Sequence, residues 1–388
     1  MTPGDGTGSV ARREDAERLA RVTISLVAEP GDPVFAGLTH ELGGAVFLAA
    51  LREDADRHEE LAAASARLTE VDPDRALDQA ARLGVRFVMP GDEEWPAPLE
   101  DLAAAGAVQE RGGPPVGLWV RGPMRLDRLT ASVAVVGSRS ATTYGDHVAG
   151  EISARLGQEG VPVISGAAFG IDRAAHRGSV SAGAPTAAVL ACGADRVYPT
   201  AHRDLLDYLA REHAVISEAP IGAAPHRVRF LARNRIIAAL SRGTVVVEAA
   251  ARSGALNTAN WAQRLHRPVM GVPGPVTSAA SVGVHHQVRT GAAMLVTGGE
   301  DVLEVIGAAG EHLIEEPRGP EHARDLLPVR QRQVLDAVPV GGTAGTASIA
   351  SVAGLAVVQV GRILQALQGH GLVDRSPTGW WLTDAGRA

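Results

Sequence analysis

The chain has 388 residues, 37 basic against 44 acidic, and a formal charge of −7, so a polyanionic partner would have to be met by a local patch and not by the molecule as a whole. Its single cysteine, Cys192, excludes an internal disulfide framework and a cysteine metal cluster and fits a reducing cytoplasm; no signal peptide or membrane-length apolar run is visible. Lysine is absent, which we read as genomic base composition first and chemistry second.

Residues 1–14 read as a disordered start. Residues 15–83 are Ala-rich and helical, a small domain of SAM or helix-hairpin-helix type, with Leu19, Val22, Leu26 and Val27 on one apolar face and Phe47, Leu48 and Leu51 on another. From 84 to 308 the texture changes to short β-branched runs, expected as strands at 85–89, 117–120, 133–136, 161–164, 186–190, 214–216, 244–247 and 269–272. Helix-sized segments such as 146–157, 172–182 and 257–266 lie between them. Strands alternating with helices, and apolar on both faces, indicate an α/β fold with a largely parallel, doubly wound sheet, whose ligands bind at the carboxyl ends of the strands. A linker at 309–325 leads to 326–388, where three helices (329–338, 346–355, 357–370) and a hairpin describe a winged helix. Its recognition helix holds only Arg362, sparse charge for reading a duplex.

Charge is unevenly placed. Between Ala219 and Gly299 stand Arg227, Arg229, Arg233, Arg235, Arg242, Arg252, Arg264, Arg267 and Arg289, with Glu248 the single acid. In the run from His226 to Arg235 no carboxylate stands at helical i,i+4 spacing, so the patch repels itself unless an anion lies against it. An extended arginine tract suits a polyanion, nucleic acid first.

Three Gly/Ser loops at strand ends flank this tract. The first is Gly137-Ser138-Arg139-Ser140, leading through Tyr144 into a helix; the second is Ser165-Gly166 with Phe169-Gly170; the third is Arg252-Ser253-Gly254, followed by Thr258. Glycines and helix N-termini of this kind admit phosphates, while a plain strand-to-helix turn remains open for the first loop alone. Asp172 reads as the cap of its helix, with His176 packing or pairing locally, and Glu248 as a carboxylate that orients neighbouring arginines. Phe230 and Tyr144 are the expected stacking platforms. Trp261 and Phe169 read as core, Phe169 also standing among the candidate contacts. His285-His286 lack a third metal ligand and read as surface or DNA contact. No nucleophile stands beside a plausible base, so neither catalysis nor a cofactor or metal is expected.

Taken together, Gly137-Ser138-Arg139 with Thr143-Tyr144-Gly145, Ser165-Gly166 through Gly170-Ile171-Asp172 with Ala175-His176, Tyr198-Pro199, Ser217-Glu218, Arg233-Asn234-Arg235-Ile236-Ile237, Ser253-Gly254 with Thr258-Ala259, and Val272-Pro273-Gly274 resemble the DNA-processing family called DprA or Smf. The resemblance implies an extended Rossmann-like domain that binds single-stranded DNA, protects incoming strands and loads the RecA recombinase during natural transformation. It also implies a homodimer with a helical N-terminal domain and, in some members, a C-terminal winged helix. The chain departs from the family where Phe230-Leu231 stands for Phe-Pro and where Gly283-Val284-His285-His286-Gln287-Val288 replaces the usual Gly-x-Asn-x-Leu-Ile pattern. The candidate DNA contacts are Gly137, Ser138, Arg139, Tyr144, Ser165, Gly166, Phe169, Gly170, Arg229, Phe230, Arg233, Asn234, Arg235, Arg252, Ser253, Gly254 and Thr258. Two other readings stay open: a nucleotide-processing enzyme of the phosphoribohydrolase type on a related sheet, and a duplex-binding regulator acting through residues 326–386.

Overall fold

The computed structural model describes residues 5–53, 59–313 and 322–387, and the chain divides into two units, Met1–Ile314 and Glu315–Ala388. Five helices open the first unit: α1 (Asp5–Val27), α2 (Pro33–Leu42), α3 (Gly44–Glu53), α4 (Glu59–Leu68) and α5 (Pro73–Arg82). Helix α1 starts at Asp5, earlier than the irregular 1–14 expected from sequence; Gly6 and Gly8 lower the helix propensity of that stretch and conceal it. Residues 1–4 of that expectation lie outside the described residues. Helices α2 and α5 begin alike, Asp32 accepting from the Val34 and Phe35 amides and Asp72 from the Arg75 amide, with proline at the first helical position. Ile24, Val27, Phe35, Phe47, Leu48 and Leu51 close the helical core, with Phe35 edge-on to Phe47 at 5.5 Å. Val22 packs instead with Phe87 and Trp119, so α1 fastens this helical layer to the sheet.

The sheet comprises β1 (Val85–Val88), β2 (Leu118–Arg121), β3 (Ser132–Val136), β4 (Val163–Ser165), β5 (Thr186–Leu190), β6 (Ala214–Ser217), β7 (Ser241–Val246), β8 (Val269–Gly271) and β9 (Met294–Leu295). Its order is β1-β2-β6-β5-β4-β3-β7-β8-β9; β3 to β9 run parallel, and β1 and β2 close one edge antiparallel. Strand β9, only 2 residues long, is too short to show a period in sequence. The connecting helices are α6 (Thr143–Gln158), α7 (Ile171–Ser181), α8 (Arg203–Glu212), α9 (Arg227–Leu240), α10 (Ala255–Arg264), α11 (Val282–Arg289) and α12 (Gly299–Ile306).

Strand alternation explains the two-sided winding. In β3, Val133 and Val135 face the cluster formed with α6, α7 and α12, while Ala134 and Val136 face the one formed with α9 and α10. Both faces are therefore apolar, and each fully buried valine contributes about 1.5–3 kcal/mol. From β3 the chain steps through β4, β5 and β6 in one direction, and from β7 through β8 and β9 in the other. The order thus reverses between β3 and β7, where doubly wound sheets leave a crevice at the carboxyl ends of the strands.

The second unit contains α13 (Val329–Asp336), α14 (Thr346–Ala353), α15 (Val357–Gly369), the antiparallel pair β10 (Val373–Ser376) and β11 (Gly379–Leu382), and α16 (Asp384–Arg387). Val334, Ile349, Leu364, Leu367 and Trp380 form its core, and the Trp380 indole donates to Thr346 Oγ1 at 3.1 Å. Among the described residues no single helix is long and apolar enough to cross a membrane.

Candidate nucleic-acid interface

At the switch point lies a cleft of about 1260 Å³, lined by the loops after β3 and β7, the first turns of α9, Tyr198 and the segment Val108-Gln109. Helix α9 crosses it. Its middle and end are buried from Ala232 to Leu240, and it passes directly into β7, so the Arg-Asn-Arg triplet is held on a rigid element beneath the cleft.

The triplet has three separate fates. Arg233 is only 7% exposed; Nη1 donates to Val189 O at 2.6 Å and Nε to Asn234 Oδ1 at 3.2 Å, and the guanidinium borders the cleft. Burial pushes its pKa down and pushes that of Asp172 up, their mutual attraction offsetting only part of the cost because they do not reach ion-pair distance. An anion in the cleft would supply what Arg233 lacks. Asn234 Nδ2 reaches Gly254 O at 3.3 Å and Asn257 Oδ1 at 3.2 Å, tying α9 to the third loop. Arg235 is 0% exposed and forms a forked ion pair with Glu218 at 2.6 and 2.8 Å, which removes it from the candidate contacts. Arg229 is likewise occupied, gripping Glu29 through Nε at 2.9 Å and Nη2 at 2.7 Å. The repulsion expected along this tract is thus relieved by carboxylates far away in sequence.

What faces the cleft uncompensated is Arg139, Arg227 and Arg252, all exposed, lining the cleft and without a carboxylate partner among the described residues. Phe230 lies among them, with the Arg139 guanidinium 4.7 Å and that of Arg233 6.0 Å from its ring centre, and Tyr198 at 5.8 Å. Tyr144 is outside the cleft and donates its hydroxyl to Pro273 O at 2.7 Å. Phe169 is 46% exposed against His202, not core, whereas Trp261 is fully buried as expected.

The second loop is built inward. Ser165 is buried with Oγ donating to Val135 O at 2.7 Å and is not a contact. A Cβ on Gly166 would fall 1.7 Å from Arg233 Nη1, so this glycine makes room for the guanidinium. Gly170 has φ +75° and would press a Cβ to within 2.2 Å of Ser138 O; it lets the first and second loops touch. Asp172 does not cap α7, whose cap is Gly170; its Oδ2 accepts from the amides of Gly166 (3.2 Å) and Ala168 (3.3 Å) and clamps the loop. In the first and third loops Gly137, Ser138, Ser253, Gly254 and Thr258 line the cleft, Ser138 Oγ accepting from Ser140 N and Ser253 Oγ from Ala255 N.

Glu248 pairs with no arginine among the described residues. Its carboxylate accepts from Thr142 N at 2.9 Å and Thr142 Oγ1 at 2.6 Å, and Thr142 caps α6. His176 is buried against Thr186 Oγ1 at 2.8 Å with its pKa lowered to about 3, and burial raises Cys192 to about 11, so neither is poised for acid-base or nucleophilic chemistry at neutral pH. His285 Nε2 contacts Gly274 O at 3.0 Å, outside the cleft lining. No group of His, Cys, Asp or Glu among the described residues could hold a metal. Gln109, Arg227, Tyr198 and Asn257 line the cleft without having been chosen from sequence; Arg227 and Tyr198 stood inside recognised motifs, Gln109 in none.

The model of the DNA recombination-mediator protein A family matches residues 86–307, well over half of the chain. The chain belongs to this family. A Mycobacterium tuberculosis (strain ATCC 25618 / H37Rv) relative described as DNA processing protein DprA is 44% identical over 319 residues, spanning 81% of this chain and 82% of that protein. The DNA processing protein DprA of Streptococcus pneumoniae (strain ATCC BAA-255 / R6) is 42% identical over 189 residues, 49% of this chain and 66% of its own. The X-ray structure of the Streptococcus pneumoniae protein superposes with a TM-score of 0.61 at 33% identity, covering 73% of this chain and 95% of that one. The matched DNA recombination-mediator segment contains every wall of the cleft, while α1 to α5 and the second unit lie outside it.

Proposed function

We propose that the chain binds single-stranded DNA in this cleft, with phosphates on Arg139, Arg227, Arg252 and the buried Arg233 and a base stacked on Phe230. The observation that carries the reading is the gathering of uncompensated guanidinium groups in one cleft at the sheet's switch point, with Arg139 over the Phe230 ring. Guanidinium forks suit phosphates, and an accessible ring suits the open face of an unpaired base. Membership of a DNA recombination-mediator family supports the same partner. In this reading the protein acts in the cytoplasm by binding and not by turnover, assembles as a homodimer, protects incoming strands and delivers them to the RecA recombinase in transformation or recombination. The buried, threonine-bound Glu248 favours binding over a nucleotide-hydrolysing role for the same sheet.

Labelled oligomers, single against double stranded, at two salt concentrations test the proposal. Tighter binding of the single strand, weakening as salt rises, is expected. Equal affinity for both forms, or binding indifferent to salt, would overturn it.

A further inference from the structure

One wall of the cleft comes from outside the three loops. Val108 and Arg111 exchange backbone hydrogen bonds (2.8 and 3.1 Å) around a tight turn whose central residues, Gln109 and Glu110, have φ of 50° and 61°. Such turns normally take asparagine and glycine, because longer side chains resist the left-handed backbone. This one is held from both sides: Gly112 N donates to Gly31 O at 2.9 Å, and Arg235, anchored on Glu218, donates through Nε to Gly113 O at 3.0 Å. Backbone strain of this sort persists where the surroundings over-determine it, and here it carries Gln109 to the cleft.

Gln109 Oε1 accepts from Asn257 Nδ2 at 3.1 Å, Asn257 Oδ1 accepts from Asn234 Nδ2 at 3.2 Å, and Asn234 Oδ1 accepts from Arg233 Nε at 3.2 Å. A line of amides thus joins the exposed wall to the buried guanidinium. The Gln109 Nε2 donor has no protein partner among the described residues. Arginines on phosphates carry no base information, and a stacking ring accepts any base. A side-chain amide with a free donor beside its acceptor matches the donor and acceptor pair on a base edge, and Gln109 presents one on the cleft wall.

We propose that Gln109 hydrogen-bonds the exposed edge of an unpaired base, adding to the cleft a preference for bases with polar edges and against duplexes, where those edges are already occupied. This rests on the single-strand reading above. The test compares oligo-dT with an oligomer of equal length whose thymines are replaced by difluorotoluene, an apolar isostere that stacks but offers no comparable hydrogen-bonding edge. Both are titrated against the full chain and against Gln109→Asn, which tolerates the left-handed backbone but withdraws the amide by one methylene. The unsubstituted protein should prefer oligo-dT roughly threefold to tenfold, the range of an ordinary hydrogen bond. Gln109→Asn should bind the two alike, with unchanged salt dependence. A variant that keeps the preference, or that weakens both ligands equally as a mere strut would, overturns the inference. If the unsubstituted protein binds neither oligomer, the single-strand reading falls and this inference with it.

Discussion

Arg233 and Arg235 flank one asparagine on α9 and do opposite work: one borders the cleft with Asp172 near it but not in ion-pair contact, the other is locked against Glu218. Replacing Arg235 by Ala would leave Glu218, itself nearly buried, without its partner. A loss of about 3–5 kcal/mol in urea unfolding is expected, together with loosening of Gly113 in the turn that carries Gln109. Acid should act through His176. Its pKa falls from the ordinary 6.5 to about 3 on burial, so below pH 6.5 the unfolded chain takes up a proton that the native state refuses. Its contribution to stability is complete above pH 6.5 and declines by up to about 1.4 kcal/mol per pH unit toward pH 3. Asp172, raised by burial, works in the opposite direction, so the measured quantity is the difference in unfolding free energy between the unsubstituted protein and His176→Asn across this window. A difference that does not change with pH would contradict the assignment.

At the scale of elements, the strands were legible because β-branched runs bounded by glycine and proline leave a short-range signature, and the sheet they form is the doubly wound one expected. The partners of the arginines were not legible. Helical spacing around Arg229 and Arg235 shows no acid, yet Glu29 and Glu218 arrive from other segments, and Glu248 turns away to Thr142. Charge patterning reads one helix, whereas ion pairs are made by the fold. The Gln109-Glu110 turn escaped notice for a related reason, since its residues are the wrong type for its backbone. Converting it to Asn-Gly should relieve that mismatch and stabilise the protein by about 1 kcal/mol, read as a higher urea midpoint. A lower midpoint would mean the turn is not strained.

At the scale of the molecule, the cleft is contained within the first unit, whose residues carry every group assigned to phosphate or base. The second unit offers Arg362 on α15 and little other charge on that helix. A protein ending near residue 309 should therefore keep its affinity for oligo-dT; loss of binding by such a folded fragment would place the site elsewhere. The central claim is that Arg139 and Arg252 neutralise phosphates. It is tested most directly by the slope of log affinity against log salt for oligo-dT, measured on the unsubstituted chain and on the double substitution Arg139→Ala, Arg252→Ala. Each lost phosphate contact should flatten the slope by about 0.7, so a change of about 1.4 is expected. An unaltered slope and affinity in a correctly folded double variant would mean that these arginines are only a solvated face.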